Sequence, residues 1–141
     1  MDTVDSASDR VRTFWRVVWD EGRTEAIPDF MSEGFVIHSA GRDIGPRDAF
    51  RDWVASFQAT IEDMRFEVLD LFEAPAPEGE TRVATRWRIT GRNRCFMGTH
   101  TKGRQIDLTG ITISRVDVQG RIVEKWVERS AFEQHAALTS S

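Results

Sequence analysis

The apolar residues of this chain repeat at helical spacing in two stretches of its first 61 residues and at alternate positions over most of the remainder. That change of period, from 3.6 to 2, restricts the chain to folds in which helices precede an antiparallel sheet. Val11, Phe14, Trp15, Val18 and Trp19 stand at i, i+3, i+4, i+7 and i+8, one face of an amphipathic helix. Ser6, with Asp9 three residues on, supplies a cap, and Gly22 after Glu21 predicts the stop. A short second helix is expected over residues 24–31, interrupted by Pro28. Phe35-Val36-Ile37-His38 predicts a short strand, and Gly41 to Gly45 a loop. Pro46 suits the first position of a helix over 46–61. Phe50, Trp53, Val54, Phe57 and Ile61 form its apolar face; Arg47, Asp48, Arg51 and Asp52 lie mostly opposite.

Beyond Met64 the pattern is that of strands. Phe66 and Val68 alternate with Arg65 and Glu67, and a Pro- and Gly-punctuated loop follows over 74–79. Val83, Thr85, Trp87 and Ile89 alternate with Ala84, Arg86, Arg88 and Thr90, as in a half-buried strand. Residues 91–103 are expected to be loop or irregular strand end. Gln105 to Val116 reads as a long strand whose parity slips at Gly110: Ile106 and Leu108 precede it on even positions, Ile111 and Ile113 follow on odd ones. A glycine at such a slip predicts a bulge or sharp bend. A turn over 117–120 leads to a last strand, 121–129. The expectation is one α+β domain over residues 1–141, with its core at about 9–134, frayed ends including residues 1–7, and a curved four-stranded antiparallel meander packed against N-terminal helices.

Composition narrows the function classes. The single cysteine, Cys95, excludes an intramolecular disulfide and any multi-cysteine zinc or iron–sulfur site. The three histidines have no metal-ligand spacing, and no glycine-rich phosphate loop precedes a helix, so no metal and no cofactor are expected. A net charge of −4 argues against nucleic acid as a partner. The N-terminal MDTVDSASDR is acidic and polar, unlike a signal peptide, and no apolar run reaches the roughly 18–20 residues of a membrane span. A cytoplasmic location and no membrane partner are expected. There is no tyrosine.

Several segments carry a family resemblance. Trp19-Asp-Glu-Gly22 is similar to a W-N-x-G-D opening, and Phe35-Val-Ile-His38, Gly45 and Phe50 to a strand–His–loop–G-x-x-A-F segment. Residues 83–91 match a central strand; Thr101-Lys-Gly103, Gly110-Ile-Thr-Ile-Ser-Arg115 and Gly120-Arg-Ile-Val-Glu-Lys-Trp126 match the P-T-G, G-I-x-I-x-R and G-K-I-x-E-x-W endings. In this order, from about Val11 to Gln134, they resemble the SnoaL-like polyketide cyclases of the nuclear transport factor 2-like superfamily. The resemblance implies a cone-shaped α+β fold with a central apolar pocket, and a homodimer. It leaves the reaction open, since this fold hosts isomerases, cyclases, dehydratases, epoxide hydrolases and non-catalytic modules. The family's W-D-x-x-D carboxylates, a pocket acid/base, are replaced by Val127 and Ser130, and its G-T-H-x-G by Gly91-Arg-Asn-Arg-Cys95. The missing tyrosines remove the phenol donors of related isomerases, whose oxyanion acid would fall on Thr112.

His38 follows an apolar strand, and the resemblance places it near the isomerases' general base; imidazole suits proton transfer near neutral pH. Its other reading is a strand-end histidine bonded to backbone. Asp107, mid-strand, replaces the lost carboxylate if the slip at Gly110 turns it inward, and is a solvated charge if it faces out. Glu128 is a weaker candidate, more readily a surface charge beside Arg129, and Glu124 a salt-bridge partner. His100 and His135 read as surface residues, Cys95 as a rim or core thiol, and Arg92 and Arg94 as a solvated rim or an anion contact. Trp19, Phe57, Trp87, Phe96, Met97, Trp126 and Val127 are candidates to line the pocket, and Trp15 and Trp53 to pack the core. The sequence thus supports a cofactor-independent acid/base enzyme on a hydrophobic polyketide- or terpenoid-like molecule, performing cyclisation, isomerisation, dehydration, hydroxylation or epoxide opening. His38, Asp107, Thr112 and Glu128 would be its catalytic residues. The second reading is a binding or assembly module, favoured by the lost carboxylates.

Overall fold

The computed structural model describes residues 6–140. Of the N-terminal stretch expected to fray, residues 1–5 lie outside this range, whereas Ser6 accepts a hydrogen bond from the Asp9 amide and Ala7 is already helical. Helix α1 (Ala7–Phe14) runs into a π-helical stretch, Trp15–Asp20. The face spelled by Val11, Phe14, Trp15, Val18 and Trp19 is buried throughout. Gly22, at φ +71°, takes the left-handed conformation that ends the helix. A 3₁₀ turn, Thr24–Asp29, follows. Strand β1 (Met31–Ser39) is longer than the apolar run predicts, and β2 (Arg42–Ile44) pairs with it where a loop was expected. Ala40 and Gly41, both at positive φ, form the two-residue turn between them. Helix α2 (Arg47–Ala59) takes Pro46 as its N-cap rather than its first residue.

Strands β3 (Ile61–Pro75), β4 (Thr81–Asn93), β5 (Gln105–Val116) and β6 (Ile122–Arg129) form the expected meander. The sheet is larger than predicted: its order is β2-β1-β6-β5-β4-β3, and β1 lies parallel to β6. It is therefore a mixed, open, six-stranded sheet with the N-terminal helices on one face, the cone-shaped α+β architecture. A C-terminal helix, α3 (Ala131–Thr139), was not anticipated. It covers an open edge, because β5 and β6 pair only from Gly110↔Arg129 onward. There the Asp107 amide donates to Gln134 (2.7 Å) and the Thr109 amide to Ser130 (3.0 Å). No helix among the described residues is long and apolar enough to cross a membrane.

The slip expected at Gly110 does not occur. Burial alternates along β5 without a break, and its register with β4 is continuous from Arg92↔Gln105 to Thr81↔Val116. Gly110 faces inward beneath an indole: a Cβ there would lie 2.3 Å from Cζ2 of Trp87. Glycine is present because a ring occupies the place of its side chain. The apolar Ile111 and Ile113 stay on the outer face, 53% and 42% exposed. The register slips fall elsewhere: in β3 between Glu62 and Arg65 and again at Leu69, in β1 between Met31 and Val36, and at Val123 in β6, where that strand carries an extra residue. The slip at Val123 decides the site. It turns Lys125 and Val127 inward, so that Trp126 and Glu128 point out.

Candidate active site

A cavity lies between the inner face of the sheet and the helices. Its walls are aromatic: Trp15 and Trp19 from the π-helical stretch, Phe50, Trp53 and Phe57 from α2, and Phe66 and Trp87 from the sheet. The π-helical stretch brings both of its tryptophans to the wall; Trp15 stacks on Phe66 at 4.8 Å, and Trp19 meets Phe57 edge-on at 5.4 Å. Trp53, Phe57 and Arg129 are the lining residues that keep some exposure, so they form the rim. The cavity volume is about 30 Å³, room for little more than a water, so a larger guest must displace the rim side chains.

The polar groups of this cavity are few and mostly donors. Thr112 is buried, and its hydroxyl accepts from Trp87 Nε1 at 2.9 Å. Thr85, buried behind the wall, does the same for Trp15 Nε1 at 3.1 Å. Trp19 Nε1, Lys125 Nζ and Arg129 Nε are buried without a partner, three of five such side-chain atoms among the described residues. Lys125 is 1% exposed, with Nζ 3.6 Å from the ring centre of Phe14 and 3.9 Å from that of Trp15. Burial pushes its ammonium well below the usual lysine range. The two ring faces partly offset that cost. Burial likewise lowers Arg129, whose guanidinium lies 5.5 Å from the Phe57 ring centre. Among the described residues, no aspartate, glutamate or histidine lines the cavity. A carbonyl or enolate oxygen placed here would meet unsatisfied N–H donors and flat rings.

Of the residues singled out in the sequence, Trp19, Phe57, Trp87, Thr112 and Val127 line this cavity. His38 and Asp107 do not, and they do not meet each other. With no slip at Gly110, Asp107 stays on the outer face, where Arg88 holds it in two hydrogen bonds of 2.8 and 2.7 Å. That arginine keeps the carboxyl below its usual range. His38 is also on the outer face, its ring between Asp43 and Glu124 at 2.7 Å each and stacked on Trp126. The Asp43 hydrogen bond, then that of Glu124, raises its pKa. Glu124 in turn is pushed up by burial, but its bonds to His38 and Arg115 outweigh this and hold it low. Arg115 joins Glu124 to Glu80, at 2.8 Å each. Glu128 is exposed on the same face. Trp126, expected in the pocket, is 38% exposed there because of the slip at Val123.

Phe96 is buried against Phe57 at 5.5 Å but sits behind the cavity wall, and Met97 is exposed at φ +54°. Cys95, His100, His135 and Arg94 are exposed, and Arg92 pairs with Asp63 at 2.6 Å. The sequence reading missed Lys125 and Arg129 as lining residues and gave Trp15 and Trp53 to the core. One signal was available for Lys125: the chain has only two lysines against seventeen arginines.

A family model, SnoaL-like polyketide cyclase, matches residues 9–136. Among solved structures, the chain is similar to IdmH of Streptomyces antibioticus, a candidate polyketide cyclase, with 25% identity over 96% of this chain and 100% of that one and a TM-score of 0.80. A candidate polyketide cyclase of Acidithiobacillus ferrooxidans gives 22% identity over 97% of both chains and a TM-score of 0.79. A protein of ketosteroid isomerase-like fold from Catenulispora acidiphila gives 14% identity over 92% of this chain and 91% of that one, with a TM-score of 0.69. No curated protein sequence matches.

Proposed function

Because the chain belongs to the SnoaL-like polyketide cyclase family, we propose that it is a cofactor-independent enzyme that binds a flat, hydrophobic, carbonyl-bearing molecule in the aromatic cavity and rearranges it by moving a proton next to the carbonyl. Cyclisation and isomerisation are the reactions this chemistry serves. The observation that carries the reading is the set of three unpartnered donors, Trp19 Nε1, Lys125 Nζ and Arg129 Nε, in a cavity otherwise walled by rings. Buried donors left without acceptors are costly to the fold. A ligand oxygen would supply the acceptor, and negative charge developing on that oxygen would be held by donors already in place.

Ligand binding can be read from tryptophan fluorescence. Four of the five tryptophans line the cavity, and Trp126 lies outside it. 2-Acetonaphthone is expected to quench the emission saturably. Naphthalene, which lacks the oxygen, is expected to bind roughly 2- to 12-fold more weakly, the worth of one hydrogen bond. Equal affinities would remove the carbonyl from the reading. Hydrogen–deuterium exchange at the methyl group of the bound ketone, followed by NMR, separates an enzyme from a binding module. The module reading is favoured by one observation, the lack of any carboxylate or imidazole on the cavity wall among the described residues. It predicts saturable quenching with no accelerated exchange.

The reading includes a homodimer formed through the outer sheet face. Phe72, Ala84, Ile113, Trp126 and His38 are cross-strand neighbours in one row across that face. Phe72 is 63% exposed. An apolar row bordered by ions of both signs is self-complementary about a two-fold axis. Light scattering of wild type and Ile113→Lys is expected to show a dimer and a monomer. A monomeric wild type would overturn this part.

A further inference from the structure

Of the three unpartnered donors in the cavity, Lys125 is the one whose chemistry goes beyond donating a hydrogen bond. It is fully buried, yet its amine meets no acceptor. Its neighbours across the sheet are Ile37 of β1 and Ser114 of β5, and its stem ends between Phe14 of α1 and Trp15. None of these carries charge. Glu124, the adjacent carboxylate, points to the other face and is engaged with His38 and Arg115. The other cation on the inner face of β6, Arg129, lines the same cavity. An arginine would suit a permanent charge, and the chain uses arginine seventeen times; lysine is the basic side chain that can shed its proton when buried.

We propose that the free amine of Lys125 is a covalent catalytic group that forms an imine with the substrate carbonyl. The inference rests on the reading that this cavity binds a carbonyl compound. The amine nitrogen bonds to the carbonyl carbon, and the two amine hydrogens leave with the carbonyl oxygen as water. The imine then takes a proton from solvent. Its positive nitrogen draws electrons from the neighbouring C–H bond, which breaks; the electron pair forms the C=C bond of an enamine and the proton passes to water. The enamine carbon can attack a second carbonyl of the same molecule, closing a ring; the nitrogen is again that of a positive imine, and the new alkoxide takes a proton from water. One water then hydrolyses the imine, returning the ketone and free Lys125 and releasing one proton to solvent. This route needs no carboxylate on the cavity wall, in keeping with Val127 and Ser130 standing where the family's acids are expected. The aromatic surroundings exclude water and favour the uncharged amine.

Reductive trapping tests this directly, and two lysines make the result simple to read. The wild-type protein is incubated at pH 7 with 2-naphthaldehyde and sodium cyanoborohydride, whose hydride reduces an imine to a stable secondary amine. Intact mass and peptide mapping then locate the label. One naphthylmethyl group on Lys125 is expected, added about tenfold faster or more than on Lys102, since each unit of lowered pKa gives tenfold more free amine. The Lys125→Met protein is expected to lose that label and no other. Saturable quenching with Lys102 or the N-terminus labelled and Lys125 untouched would overturn the imine while leaving the cavity as a carbonyl site. No quenching at all would overturn both.

Discussion

Replacing Lys125 by methionine is expected to stabilise the fold, by an amount that grows as pH falls. The substitution keeps a flexible unbranched stem in a site that is 1% exposed and removes an amine with no hydrogen-bond partner. Above the pKa of a lysine in the unfolded chain, both states hold a neutral amine. The difference is then the cost of burying that amine unpaired, about 1–3 kcal/mol. Below it, the unfolded chain takes up a proton that the folded protein refuses, because burial pushes Lys125 well below the usual lysine range. The unfolded state binds more protons, so wild-type stability falls with falling pH, at about 1.4 kcal/mol per unit between the two pKa values. Contacts of the ammonium with Phe14 and Trp15 act against this, by about 2 kcal/mol at most for a desolvated pair. The measurement is urea unfolding of both proteins, at fixed concentration and at several pH values between 7 and 10. Other titrating groups cancel in the difference between the two proteins. A difference that does not change with pH, or a less stable Lys125→Met, would refute the reasoning: the folded protein would then hold a charged, ring-stabilised lysine.

Three further outcomes follow from the same geometry. Thr112→Val leaves Trp87 Nε1 buried without its 2.9 Å acceptor and is expected to cost about 1–3 kcal/mol in urea unfolding. Gly110→Ala drives a methyl group to 2.3 Å from the Trp87 ring, so a loss of about 1–3 kcal/mol is expected, with a changed near-ultraviolet dichroism; a silent substitution would place the indole elsewhere. The His38 pKa is raised by Asp43 and then Glu124, so its contribution to stability is complete below the unfolded histidine value and is lost as pH rises through the folded one. NMR titration is expected to show that pKa fall in Asp43→Asn and stay unmoved in Asp107→Asn, whose carboxylate is held by Arg88 instead.

The helical half of the fold was legible because an amphipathic helix states its buried face outright. The stripe from Val11 to Trp19 and the face led by Phe50 and Val54 both lie on the core. Strand β4 was equally plain, since its even positions include four arginines and its odd positions none. Strand β1 was read short because Met31 to Gly34 carries no alternation, and its parallel partner lies some ninety residues along the chain. Helix α3 shows no apolar stripe because Phe132, its most conspicuous apolar residue, is 83% exposed; Leu138 alone among its apolar residues is fully buried, and polar bonds to β5 complete the anchoring.

The sequence by itself determined the α+β order, the family, and the aromatic residues on hand to build a cavity. Only the tertiary structure decided which side of β5 and β6 faces that cavity. A period of two states which residues share a face, not which face is inside. In β5 both faces carry aliphatic residues, Ile106 and Leu108 on one and Ile111 and Ile113 on the other, so hydropathy could not choose between them. The choice is made across the sheet, by Trp87 lying over Gly110 and by one extra residue at Val123. These long-range constraints put His38, Asp107 and Trp126 outside and brought Lys125, which any hydropathy reading would assign to solvent, into contact with Phe14 and Trp15.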